Sequence, residues 1–166
     1  TAFRETAADD AIMFTPGLVN AQQWLKGKAD PPQSVTWQPH HIYMSCDGST
    51  AVSTGAWQNA KGESGRFTTI WRQQDFGQRR PNRNIEWQWV FDDGDALDKP
   101  LPEPDYVETD VASCKANIAA APAATGLTDR GMTASSPDRS LVWHAALRDD
   151  GSRIVYADLA QDDGSF

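Results

Sequence analysis

TAVSTGAWQNAKGESGRFTTIWRQQ, running from Thr50 to Gln74, holds the pattern that decides the fold. Each half alternates apolar with small or polar side chains at a period of two, and NAKGESG between them is Asn/Gly turn chemistry at hairpin length. Successive side chains of a strand point to opposite faces, so Phe67, Thr69 and Trp71 share one face of the second half. Arg66, Thr68, Ile70 and Arg72 share the other. The pattern continues in both directions. Upstream, SVTWQPHHIYMSC (34–46) reads as a strand joined to Thr50 through the turn CDGS, and downstream NIEWQWVFD (84–92) reads as a fourth strand. Four strands in order, linked as hairpins, predict an antiparallel meander.

Ahead of the meander, AFRETAADD reads as the end of a helix with Phe3 and Ala7 one turn apart, and AIMFTPG as a short strand stopped by Pro16 and Gly17. Asn20 is an N-cap for AQQWLKG, a two-turn helix that puts Ala21, Trp24 and Leu25 on one side and ends at Gly27. Asp30-Pro31-Pro32 cannot continue it. Short helices followed by a curved antiparallel sheet predict an α+β class in which the helices cover one face. At Asp98 the composition shifts to DKPLPEPD. The chain therefore divides into an α+β domain at 1–97, a Pro/Ala-rich linker at 98–139 and a β-hairpin extension at 140–166. The extension carries DDGS twice, each copy a turn between strand-like runs, and a third strand of its meander would lie beyond Phe166.

Composition narrows the function classes. Of 166 residues, 39% are hydrophobic and 23% charged, close to globular averages, which excludes wholesale disorder. The net charge of −8 is the wrong sign for neutralising a phosphate backbone, so nucleic acid is not an expected partner. No run of apolar residues is long enough for a membrane-spanning helix. Cys46 and Cys114 stand 68 positions apart with no CxxC spacing and no histidine at a ligand offset, which argues against zinc. They read as one disulfide or as two small buried thiols. A disulfide would staple the extension to the sheet, contribute about 2 to 4 kcal/mol, and imply a periplasmic or secreted protein rather than a cytoplasmic one. Between Asp92 and Asp110 there are eight acidic residues and one lysine, without the spacing of a calcium loop. No metal and no cofactor are expected. The chain contains no G-x-S-x-G elbow, Walker loop, GxGxxG or HExxH, so nucleophilic and nucleotide-driven chemistry have no support.

Taken together, the order helix, strand, helix and four antiparallel strands, with FTTIW in the penultimate strand and WQWVFDDGD in the last, resembles the nuclear transport factor 2-like superfamily and its SnoaL-like members over about residues 3–97. The resemblance implies a cone-shaped α+β barrel, a pocket between the helices and the concave sheet, and dimerisation through the convex sheet. Its functions range from isomerases, cyclases and dehydratases to ligand-binding and assembly domains. Two departures stand out. The family's long first helix would lie mostly upstream of Thr1, and DFGQRRPNRN, with Arg79, Arg80 and Arg83, replaces a short turn.

Strict alternation groups Trp37, His41 and Tyr43 against His40, Ile42 and Met44, so the adjacent histidines cannot clamp a metal together. In the last strand it groups Gln88, Val90 and Asp92 against Trp87, Trp89 and Phe91. The resemblance implies that His41, Tyr43, Thr69, Trp71, Gln88 and Asp92 face inward, joined by Trp37 and by Trp24 of the helix. Aromatic walls with few polar groups are the usual makeup of a small-molecule site. Within it Asp92 is the candidate general base with His41 or Tyr43 as partner, or else an acceptor of structural hydrogen bonds. The Trp87/Trp89/Phe91 stripe requires a cover, either a second subunit in a homodimer or the chain's own C-terminal strands. The leading expectation is a binder of a small, partly apolar molecule without chemistry of its own. An isomerase, cyclase or dehydratase and a structural dimerisation module are the alternatives.

Overall fold

The computed structural model of the chain describes residues 2–29, 33–74, 86–115 and 130–166. A single helical turn, α1 (Ala2–Glu5), gives way at once to strand β1 (Ala7–Phe14). The helix read over AFRETAADD stops short because the sheet takes up the backbone beyond it. The Trp89 N–H donates to the Thr6 carbonyl at 2.9 Å, and Ala7 pairs with Trp89. Strand β2 (Leu18–Asn20) folds back on β1. Helix α2 (Ala21–Leu25) begins where Asn20 predicts, the Asn20 side chain accepting the Gln23 N–H at 2.9 Å.

The meander forms as the period-two pattern requires, as β3 (Thr36–Met44), β4 (Thr50–Gln58), β5 (Ser64–Gln74) and β6 (Glu86–Leu97). The sheet around it is larger and mixed. It gains β7 (Glu108–Val111), and its spatial order is β2-β1-β6-β5-β4-β3-β7, with β1 parallel to β6 and β7 parallel to β3. A wholly antiparallel sheet is thus corrected to a mixed one within the α+β class. The segment read as a linker supplies β7 and also β8 (Gly131–Ser135), which pairs with β9 (Leu141–Leu147). With β10 (Arg153–Leu159) these make a second, three-stranded antiparallel sheet ordered β10-β9-β8. Its third strand comes from upstream of the hairpin, as β8. The insertion bearing Arg79, Arg80 and Arg83 lies outside the described residues.

Two one-residue bulges decide which side chains share a face. In β3, Pro39 pairs with Gly55 and His41 with Thr54, leaving His40 extra; in β6, Trp89 pairs with Trp71 and Phe91 with Ile70, leaving Val90 extra. A bulge reverses the alternation beyond it. Trp89 and Asp92 therefore share one face of β6, while Phe91 turns to the other.

On that other face lies the hydrophobic core. Phe91 is fully buried, its ring 5.8 Å from Phe14 and 5.4 Å from Trp143 of β9. Ile12, Val52, Ile70 and Leu141 belong to the same cluster. The chain's own second sheet covers Phe91, and the expected Trp87/Trp89/Phe91 stripe is split between two faces. Polar links tie the layers at both ends. Arg153 donates to the Gly94 carbonyl at 3.2 Å and pairs with Asp95.

At the opposite end, Asp47 and Asp138 sit in equivalent turns, each accepting the hydroxyl of the serine two residues before it. Each backbone N–H of the pair also donates to the other's carboxylate, at 2.8 and 3.3 Å, so the two turn tips interlock. Beside them the Cys46–Cys114 disulfide closes, with Cα atoms 5.2 Å apart. It ties the end of β3 to the chain just after β7.

If the two sheets form one core, Trp143→Ala costs about 3 to 5 kcal/mol in denaturant unfolding, the range for truncating a buried aromatic. Val111→Ala, at a position 63% exposed, costs less than about 0.5 kcal/mol. A Trp143→Ala loss below about 1 kcal/mol would separate the layers energetically.

Candidate functional site

Opposite the core, the main sheet presents small side chains where a barrel interior would be filled. Along β4 this face carries Ala51, Ser53 and Gly55. A side chain at Gly55 would collide with the Gln38 carbonyl and the Phe67 ring, and one at Gly65 with the Asp95 carbonyl and the Trp57 indole, so both glycines permit the close approach of the neighbouring strand and of an aromatic ring lying across it. The result is a partly open cavity of about 910 Å³ between the sheet and the N-terminal helical segments. Its sheet wall is Trp37, Phe67, Thr69, Trp71, Trp89 and Asp92, and its opposite wall includes Phe3 and Trp24. Four of the seven tryptophans thus meet in one space.

The bulges redraw the expected inward set. Trp24, Trp37, Thr69, Trp71 and Asp92 line the cavity; His41, Tyr43 and Gln88 do not. Once His40 bulges, His41 and Tyr43 pair with Thr54 and Val52 on the face away from Ser53. Gln88 pairs with Arg72, and Trp89 takes the inward place beside Trp71. Pro39 was the available signal in β3, since proline inside a strand marks an edge or a bulge. In β6 no residue type announces the bulge, so Trp89 is absent from the expected inward set; Phe67 is absent from it too, although alternation already puts it on one face with Thr69 and Trp71.

His41 instead clips β7 to the sheet. Its Nε2 lies 2.8 Å from Asp110 and its Nδ1 3.3 Å from Glu108, with the ring stacked on Tyr43 at 4.1 Å. Burial, then the charges of Asp110 and Glu108, push the Tyr43 hydroxyl above its ordinary range. Neither side chain shares a face with Asp92, so the proposed proton-transfer pairs are not assembled.

Asp92 is the one carboxylate among the described cavity residues. Thr69 donates its hydroxyl to Asp92 Oδ1 at 2.6 Å, and no basic side chain pairs with it among the described residues. Burial in these aromatic surroundings pushes its carboxyl up to about 6; the Thr69 hydrogen bond opposes this and the Asp93 charge adds to it. Asp93, its neighbour, faces the core side with Arg153 Nε 3.3 Å away. The indole N–H of Trp71 donates to Ser53 Oγ at 2.9 Å and that of Trp89 to the Phe3 carbonyl at 2.8 Å. Both tryptophans therefore turn ring faces rather than free donors to the cavity. Among the described residues no group of three or more His, Cys, Asp or Glu is arranged to hold a metal.

No family model, curated protein or solved structure matches the chain.

Because folding raises the Asp92 pKa, the folded state binds a proton that the unfolded state releases between about pH 4 and 6. The group's penalty is full above pH 6 and disappears as the pH falls toward 4. A shift of this size is worth about 3 kcal/mol at neutral pH. Asp92→Asn should therefore raise the melting temperature at pH 7.5, with the gain fading toward pH 4. Destabilisation by this substitution at neutral pH would mean that the carboxylate serves the fold.

Proposed function

We propose that the protein binds a small, partly apolar molecule in the Trp-lined cavity and carries out no chemistry on it. The observation that supports this is the cavity itself, about 910 Å³ walled by aromatic rings, the indole N–H groups of Trp71 and Trp89 already paired, with one carboxylate at its side. A sheet face meant only for packing would be filled, as the opposite face is. On this reading the sheet and the short helices make the cone-shaped barrel of a SnoaL-like domain, and the second sheet is its extension. The Cys46–Cys114 disulfide fits a periplasmic or secreted protein. A homodimer, if formed, is not required to cover Phe91.

A second reading is favoured by one observation. A carboxyl whose pKa lies near 6 is poised as a general base at neutral pH, as an isomerase, cyclase or dehydratase needs. Asp92 would then act without His41 or Tyr43, which face away.

N-phenyl-1-naphthylamine, a neutral probe that brightens in apolar surroundings, tests the binding reading. The wild-type protein should bind it saturably at one site, with quenching of tryptophan emission. Trp37→Ala, which removes a mouth residue 44% exposed, should weaken the affinity about fivefold or more. Absence of saturable binding would remove the basis for a binding function.

A further inference from the structure

We propose that the molecule taken by the cavity carries a cationic nitrogen, an ammonium or guanidinium group, seated against Asp92 beside the indoles of Trp71 and Trp89. The inference rests on the cavity being a binding site and names the chemistry it selects. The first ground is an imbalance of hydrogen-bonding groups. The indole N–H groups of Trp71 and Trp89 are spent on Ser53 and the Phe3 carbonyl, and the Thr69 hydroxyl is spent on Asp92. Beside Asp92, then, these donors are used, and what remains open is the second carboxylate oxygen, an acceptor. An anion placed there would meet a carboxylate and aromatic ring faces, both of which repel it.

The second ground is the missing counter-charge. Among the described residues the neighbouring carboxylate that this sheet buries, Asp93, has a cation, Arg153 Nε lying 3.3 Å away. Asp92 has a neutral hydroxyl. Its raised pKa expresses the cost of ionising there, and a bound cation would offset that cost. The third ground is that an aromatic wall of the same cavity already holds an ammonium, Lys28 Nζ lying 3.7 Å from the Trp24 ring centroid. Lys28 and Arg4, the cavity's own cations, are exposed, where solvent and salt screen them.

Three probes of one ring system separate the possibilities by calorimetry at pH 7.5: 1-naphthylmethylamine, a cation; 1-naphthalenemethanol, neutral; and 1-naphthoate, an anion. The amine should bind about tenfold or more tightly than the alcohol, the usual worth of a charged hydrogen bond, and naphthoate most weakly. Asp92→Asn should bring the amine-to-alcohol ratio to about one, and Asp92→Glu should keep the preference. The alcohol matching the amine in the wild type, naphthoate binding best, or an amine preference that survives Asp92→Asn would each overturn the cation while leaving the cavity a binding site. If none of the three binds and N-phenyl-1-naphthylamine does not bind either, both readings fall.

Discussion

One extra residue in β6, Val90, governs the two faces of this protein. Without it, Trp89 and Phe91 would lie side by side and Asp92 would sit on the face opposite Trp89. With it, Trp89 and Asp92, three residues apart, open onto the same cavity while Phe91 turns into the core. A strand reads its neighbours by hydrogen-bond register, and a bulge changes the register at the cost of one unpaired residue. β1 accommodates the same irregularity from its side. Between Ala7, which pairs with Trp89, and Ile12, which pairs with Phe91, four residues stand opposite one. The small and fully buried Ala8 and Ala11 fit that crowded stretch, while Asp9 and Asp10 turn outward.

The two faces answer different physical demands. On the core side, apolar side chains from both sheets interdigitate, and the one deep charge among the described residues, Asp93, is met by Arg153. On the cavity side, small residues of β4 leave space, and Trp71 and Trp89 supply ring walls with their indole N–H groups already engaged. Asp92 and Asp93 are adjacent in the chain and opposite in circumstance. Burial raises both, but only Asp93 has a cation beside it to offset the cost. A carboxylate in the condition of Asp92 is costly to the fold, a cost that the proposed cationic ligand would offset.

Much of this architecture was legible in the chain. The meander strands, the Asn20 cap and the Asp-Gly-Ser turns all follow from local rules, because alternation, capping and positive-φ glycine each act within a few residues. In the three Asp-Gly-Ser turns the aspartate accepts the backbone N–H of the serine two residues on, and the glycine takes a φ between +69° and +82°. The disulfide is the sharper reading of two cysteines alone, with two buried thiols close behind, and the structure forms it. The structure places Thr69, Trp71 and Asp92 at the cavity and His41, Tyr43 and Gln88 away from it. Strict alternation groups Gln88 with Asp92, and His41 and Tyr43 with Trp37; the bulges at Val90 and His40 part each set.

What the sequence by itself determined is the local content: which segments are strands, where the turns fall, and that aromatic residues abound at strand period. What only the tertiary structure decided is the partition of those aromatics between a packed core and an open cavity, and the recruitment of β7 and β8 from a stretch that reads as linker. The reason is range. β7 exists because His41 meets Glu108 and Asp110 across 69 residues or nearly so, and Phe91 is core because Trp143 arrives from a second sheet. Contacts of that separation leave no periodicity in the chain, since each partner is specified only by the surface it meets.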